Sequence, residues 1–138
     1  IDLFSRKVIA CRVSRSNSTQ LVKMTFRDAY KNRKPDTDLT FHSDRGSNYN
    51  AQAFRKLLAS LGVTQSFSRA HNPYDNAVME CFFKYLKKEE TNRRNYSSLA
   101  ELQLSLFKYI NGFYNSLRPH SHNNGLSPNQ AEAIYFSF

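Results

Sequence analysis

Cysteine is scarce in this 138-residue chain, which has only Cys11 and Cys81. Two cysteines so far apart build neither a disulfide framework nor a Cys-x-x-Cys zinc site, so both are expected to be free thiols in a reducing compartment. Long apolar runs are missing as well. No stretch approaches the ~20 residues that span a bilayer, and no signal peptide is visible, which argues against a membrane protein. Repeats, low-complexity segments and a domain linker are also absent. Acidic residues are few, 11 against 20 Lys and Arg, which leaves a net charge of +9. That balance favours an anionic partner, with nucleic acid the leading class.

What is present is a foldable chain. Forty per cent of the residues are apolar, including 11 Phe and 8 Tyr, enough for one domain with a real core. Residues 1–4 and 7–13 are apolar and β-branched around Ser5-Arg6, which predicts a hairpin. Ser18 or Thr19 can cap a helix running to Arg33, stopped by Pro35 and Asp36. Residues 39–43 and 63–67 are expected strands. Between them, Arg45 to Asn48 is a loop by composition, and Asn50 can cap a helix to Leu61 with Gly62 at its end. No Pro or Gly lies between Pro73 and Gly112, so a long helix is expected over 73–94. Ser98 and Glu101 form a capping box for a further helix whose stripe is Leu99, Leu102, Leu106, Ile110 and Phe113. Ser127 and Gln130 repeat that signal for a short last helix. Strands interleaved with helices make an α/β domain.

The chemistry concentrates at two carboxylates. Asp44 ends the apolar run Leu39-Thr-Phe-His-Ser, and Glu80 lies in Asn72-Pro-Tyr-Asp-Asn-Ala-Val-Met-Glu80. At 100° per residue Glu80 shares a helix face with Asn76, Lys84, Lys87 and Arg94, while Val78, Phe82, Tyr85 and Leu86 lie opposite. A hard cation such as Mg²⁺ takes one or two carboxylates and leaves room for phosphate oxygens. Two such ions support in-line displacement at phosphorus, and Lys84 and Lys87 would hold the nucleic-acid backbone alongside. Each residue also has a plainer reading: Glu80 with Lys84 as a surface pair, and Asp44 as the Asp of an Asp-x-Gly turn.

Other polar residues are weaker candidates. His42 shares the strand face of Asp44 and is expected to be simply hydrogen bonded rather than a ligand. Asn76 either contacts DNA or caps the helix start. His71, His120 and His122 have no zinc spacing with cysteine. Tyr109 to Tyr114 are expected in the core, with base stacking as the alternative. Asp2 is expected to bond local backbone in its turn, while Asp28, Asp36 and Asp38 sit on a solvent face or in a turn.

Four segments together resemble the integrase core of IS3-family bacterial transposases: Phe41-His-Ser-Asp-Arg-Gly-Ser-Asn-Tyr49, Asn72 to Phe83, Leu86-Lys-Lys-Glu89, and Tyr109-Ile-Asn-Gly-Phe-Tyr-Asn-Ser-Leu-Arg-Pro-His120. Ile1-Asp-Leu-Phe-Ser-Arg-Lys7 is similar to that family's second-strand segment, so the match covers nearly the whole chain. The resemblance implies an RNase H-like, retroviral-integrase fold in a single domain over residues 1–138, with a mixed sheet and flanking helices, incomplete at its amino terminus. It implies a DDE triad with two Mg²⁺ or Mn²⁺ ions, cleavage at transposon ends and strand transfer into DNA. Asp44 would be the second Asp, Glu80 the Glu, and Lys87 the basic residue seven positions on. The first Asp is expected on a strand upstream of Ile1, so these residues alone are expected to be inactive. Further implications are DNA contacts from Arg45, Asn76, Lys84, Lys87 and Arg94, a homo-oligomer, no membrane partner, and a bacterial cytoplasmic, nucleoid-associated setting. Two alternatives stay open: a DNA-binding or oligomerising module without catalysis, and an RNase H-like nuclease acting on RNA in hybrids.

Overall fold

The computed structural model describes residues 1–137, apart from the side chain of Pro73. They form two compact units, one of residues 10–80 and one of residues 1–9 with 81 onward. In the first unit, α1 (Thr19–Arg33) is capped by Ser18, whose hydroxyl accepts the Leu21 N–H at 3.1 Å. It ends at Lys34, in the left-handed region at φ 46°. Strands β1 (Thr40–Ser43) and β2 (Thr64–Phe67) pair in parallel, Thr40 opposite Thr64 and Ser43 opposite Phe67. A parallel pair needs a crossover, and α2 (Ser47–Asn50) and α3 (Gln52–Ser60) supply it. Gly62 follows α3 at φ 67°, as its position predicts. Phe26, Phe54, Leu57, Leu58 and Val63 are the buried core of this unit, with Phe41 and Tyr49 packed against it.

The single helix expected over 50–61 is broken. Ala51 is extended (φ −61°, ψ 138°), so Asn50 caps nothing, and residues 47–50, expected as loop and helix start, form the separate turn α2. The reason lies in the aromatic packing. Five residues apart on one helix, Tyr49 and Phe54 would point about 140° away from each other. With the break, their rings pack edge-on at 6.0 Å, and both reach Phe41.

In the second unit the expected hairpin is a tight loop rather than two strands. The Asp2 N–H donates to the Lys7 carbonyl, Arg6 sits at φ 64°, and Oδ1 of Asp2 accepts from the N–H groups of Phe4 and Ser5 at 2.9 Å each. A strand needs neighbouring backbone, but the N–H and C=O of Val8 both bond the side-chain amide of buried Asn115. The helix expected over 73–94 is three pieces: a 3₁₀ turn Pro73–Asn76, α4 (Ala77–Glu89) and a second 3₁₀ turn Thr91–Arg93. The stop is Glu90. Its carboxylate is buried where the Ser105 hydroxyl and Arg94 both donate to it, and its backbone leaves helical geometry.

The stripe expected to end at Phe113 slips by one residue. After α5 (Leu99–Phe107) the chain makes a π-helical segment, Lys108–Tyr114. One extra residue per turn rotates Phe113 outward to 40% exposure, and Tyr114 takes the buried place beside Ile110. The last helix, α6 (Pro128–Phe136), has the full capping box between Ser127 and Gln130 that the sequence predicts.

Candidate active site

Asp44 is the first residue beyond β1, exposed where the strand ends. Its Oδ1 accepts the Gly46 N–H at 2.8 Å, so the Asp-x-Gly turn is formed and fixes the carboxylate. A side chain at position 46 would crowd it, since a Cβ there would lie 3.0 Å from Oδ1. Glu80 lies in the first turn of α4 and is exposed. Among the described residues neither Glu80 oxygen, nor Oδ2 of Asp44, takes part in a hydrogen bond or ion pair, so the surface pair of Glu80 with Lys84 is not formed. Hard carboxylate oxygens left open in this way suit a divalent cation that keeps water and phosphate in its shell. Among the described residues no three His, Cys, Asp or Glu side chains group to hold a metal.

The surroundings of Asp44 are built by serine. His42 sits two residues earlier on β1, with Nδ1 2.9 Å from Ser66 Oγ and Nε2 3.0 Å from Ser68 Oγ, both partners coming from β2 and its end. Both ring nitrogens are therefore engaged, and His42 is the hydrogen-bonded histidine expected from the sequence. The Arg45 Nε donates to the Ser68 carbonyl at 2.9 Å, while the Ser68 N–H donates to the Ser43 carbonyl at 2.8 Å. Ser68 thus ties the ends of β1 and β2 together beside Asp44.

The approach to Glu80 is stapled as well. Asn72, not Asn76, caps the turn before α4, accepting the Tyr74 N–H. Asp75 takes the backbone N–H of Arg69 at 2.8 Å and its guanidinium at 3.1 Å. The Arg69 hydrogen bonds hold the Asp75 carboxyl below its usual range. Lys84 and Lys87 are exposed on α4. Arg94 is not on that helix: it follows the 3₁₀ turn after Glu90 and pairs with Glu90 at 3.2 Å.

One cluster went unread in the sequence, although both of its segments stood out there. Glu89, the last residue of α4, accepts from Arg118 Nε and Nη2 at 3.0 and 2.9 Å and from the Tyr109 hydroxyl at 2.6 Å. The Arg118 guanidinium lies 3.9 Å from the centre of the Tyr85 ring. Partial burial works to raise the Glu89 carboxyl, but the Arg118 and Tyr109 hydrogen bonds outweigh it and hold its pKa low. Burial pushes the neighbouring Tyr114 hydroxyl up to about 12.

Two family models, each described as "Integrase core domain", match residues 1–73 and 61–128. The chain belongs to the integrase core domain family. This integrase core is 39% identical over 132 residues to the "Transposase for insertion sequence element IS904" of Lactococcus lactis subsp. lactis (strain IL1403), covering 96% of the chain and 52% of that protein. It is 35% identical over 132 residues to the "Transposase InsF for insertion sequence IS3A" of Escherichia coli (strain K12), covering 96% and 46%. A Lactococcus lactis subsp. lactis protein named "ATP-dependent protease" is 55% identical over 94 residues, 68% of the chain but 30% of that protein. The chain has no Gly-x₄-Gly-Lys-[Ser/Thr] phosphate loop. It spans about half the length of the two transposases. The catalytic core domain of BIV integrase superposes with a TM-score of 0.63 at 22% identity, over 96% of this chain and 83% of that one. The fold is therefore the RNase H-like fold of a retroviral integrase core, as the resemblance implies. No helix among the described residues is long and apolar enough to cross a membrane.

Proposed function

We propose that this integrase core is the catalytic domain of an insertion-sequence transposase of the IS3 type, a polynucleotidyl transferase that cleaves transposon ends and joins them to target DNA. The observation that carries the reading is the pair of open carboxylates, Asp44 in its Gly46 turn and Glu80 on α4, in a chain similar to two insertion-sequence transposases. Asp44 and Glu80 would hold Mg²⁺ or Mn²⁺, which when bound activates water and stabilises charge at the phosphorus under attack. Asp44 contributes a carboxylate already oriented by the Gly46 N–H. Glu80 contributes one without a hydrogen bond or ion pair among the described residues. Lys84, Lys87 and Arg45 would meet phosphate oxygens, with Asn76 and Arg94 as outer contacts. Both compact units belong to this one catalytic domain, which acts as a homo-oligomer on bacterial DNA.

In the full-length transposase a third carboxylate would complete the site. Residues 1–138 alone would then bind DNA without cutting it. The test is metal-dependent nicking of transposon-end duplex by full-length protein. Asp44→Asn and Glu80→Gln should each abolish it while DNA binding persists, and turnover retained in both variants refutes the assignment. An RNA:DNA hybrid cleaved in preference to transposon-end duplex would instead favour the nuclease reading.

A further inference from the structure

We infer that Arg118 is a positioning residue for DNA binding: it grips the back of α4 at Tyr85 and Glu89 and so fixes the direction in which Lys84 and Lys87 point. The inference rests on the proposed contact of those lysines with DNA. The geometry is that of a two-point clamp. Tyr85 and Glu89 are four residues apart, one turn of the helix, and one guanidinium serves both. Its Cζ lies over the Tyr85 ring, 3.9 Å from the ring centre, while its edge donates Nε and Nη2 to the Glu89 carboxylate. Stacking and a forked hydrogen bond are the two contacts that arginine makes and lysine cannot reproduce.

The clamp is sheltered. The Arg118 side chain is 14% exposed and that of Glu89 24%, so the pair lies outside the class of solvated surface bridges. Tyr109, on the π-helical segment, adds a third donor to Glu89. Arg118 itself follows that segment, its N–H bonded to the Phe113 carbonyl at 2.8 Å, and its guanidinium also reaches the Pro119 carbonyl. The π-helical stretch is what turns Tyr109 and Tyr114 inward beneath this group, and Tyr114 stacks edge-on with Phe82 of α4 at 5.1 Å.

The lysines lie on the other side of the helix. At 100° per residue, the midpoint of Lys84 and Lys87 is about 150° around α4 from the midpoint of Tyr85 and Glu89. Lys84, Lys87 and Lys88 are all exposed. Rotation or fraying of the last turn of α4 would swing Lys87 first, and the clamp prevents both. This accounts for the arginine in Tyr114-Asn-Ser-Leu-Arg118-Pro-His120.

The test uses full-length protein and Arg118→Lys, which keeps the charge and loses the fork and the stack. Amide exchange of residues 85–89 should quicken at least tenfold, and DNA affinity should fall about tenfold at low salt. The slope of log affinity against log salt should flatten by between one and two, since each lost phosphate contact removes about 0.9. Adding Lys84→Ala and Lys87→Ala to Arg118→Lys should then cost less than they cost the wild type. A purely structural role would lower the melting temperature but leave the salt slope of the folded protein unchanged, and that result overturns the inference. If Lys84→Ala and Lys87→Ala leave DNA binding of the wild type untouched while α4 loosens in Arg118→Lys, the proposed lysine contacts have failed and the clamp survives as a brace for α4. Should Arg118→Lys not fold, Tyr109→Phe removes one donor and keeps the stack. It should shift exchange in 85–89 and the salt slope in the same directions, and wild-type values of both again overturn the inference.

Discussion

Asn115 holds Val8 by both of its backbone groups: Val8 N–H donates to Oδ1 and Nδ2 donates to the Val8 carbonyl, each at 3.0 Å. The amide acts as a one-residue strand partner. Asn115 is 2% exposed and Val8 is 6% exposed, so neither group of Val8 can turn to water instead. Asn115→Leu fills similar space but leaves two buried backbone groups unpaired, at about 1 to 3 kcal/mol each. The urea midpoint should fall by the equivalent of about 2 to 6 kcal/mol with an unchanged m-value. A loss under roughly 0.5 kcal/mol would mean that residues 1–9 are held by something else.

Gly46 is required for close approach rather than for unusual backbone, because its Cβ would meet Asp44 Oδ1 at 3.0 Å and Tyr49 at 3.3 Å. Gly46→Ala should therefore push the Asp44 carboxylate out of its turn. Mn²⁺ affinity of the full-length protein, followed by calorimetric titration, is expected to weaken by about 1 kcal/mol, roughly fivefold. Asp44→Asn provides the floor. Equal affinity in Gly46→Ala and the wild type would show that the turn does not orient the metal-binding carboxylate.

Much of this was legible in the sequence because it depended on local chemistry. Ser18, Ser98 and Ser127 each cap the helix their position announces, and Asp44 forms the turn that Asp-x-Gly predicts. What was not legible depended on contacts distant in sequence. The break at Ala51 serves the packing of Tyr49 and Phe54 on Phe41, 8 and 13 residues before them. The end of α4 is set at Glu90, whose carboxylate takes both Ser105 and Arg94, with no Gly or Pro to mark the stop. Arg94 was assigned to a helix face only because that stop is invisible locally. Within the candidate site, Asp44 and Glu80 stood out by spacing and residue type. The Arg118 clamp did not, since neither Glu89 nor Tyr109 has a local pattern that distinguishes it from an ordinary surface or core residue.

His120 supplies a pH dependence whose sign can be worked out. Burial disfavours its imidazolium and lowers its pKa below the usual 6.5. The Tyr114 carbonyl at 3.3 Å from Nε2 pulls the other way, as does the Glu89 carboxylate, while the positive charges of Arg118 and Arg6 depress it further. Above the ordinary value both folded and unfolded chains are neutral at this position, and stability is full. As pH falls through 6.5 the unfolded chain takes a proton that the folded chain refuses, so stability declines by up to about 1.4 kcal/mol per unit until the lowered folded pKa is reached. Glu89 acts in a separate window: its lowered pKa contributes stability above the usual 4.5 that is lost only as pH drops through the folded value. Thermal melts of the wild type should thus fall as pH drops below the ordinary histidine value of 6.5, and His120→Gln, which can still donate to the Tyr114 carbonyl, should flatten that stretch alone. A slope unchanged by His120→Gln would assign the titration to another group.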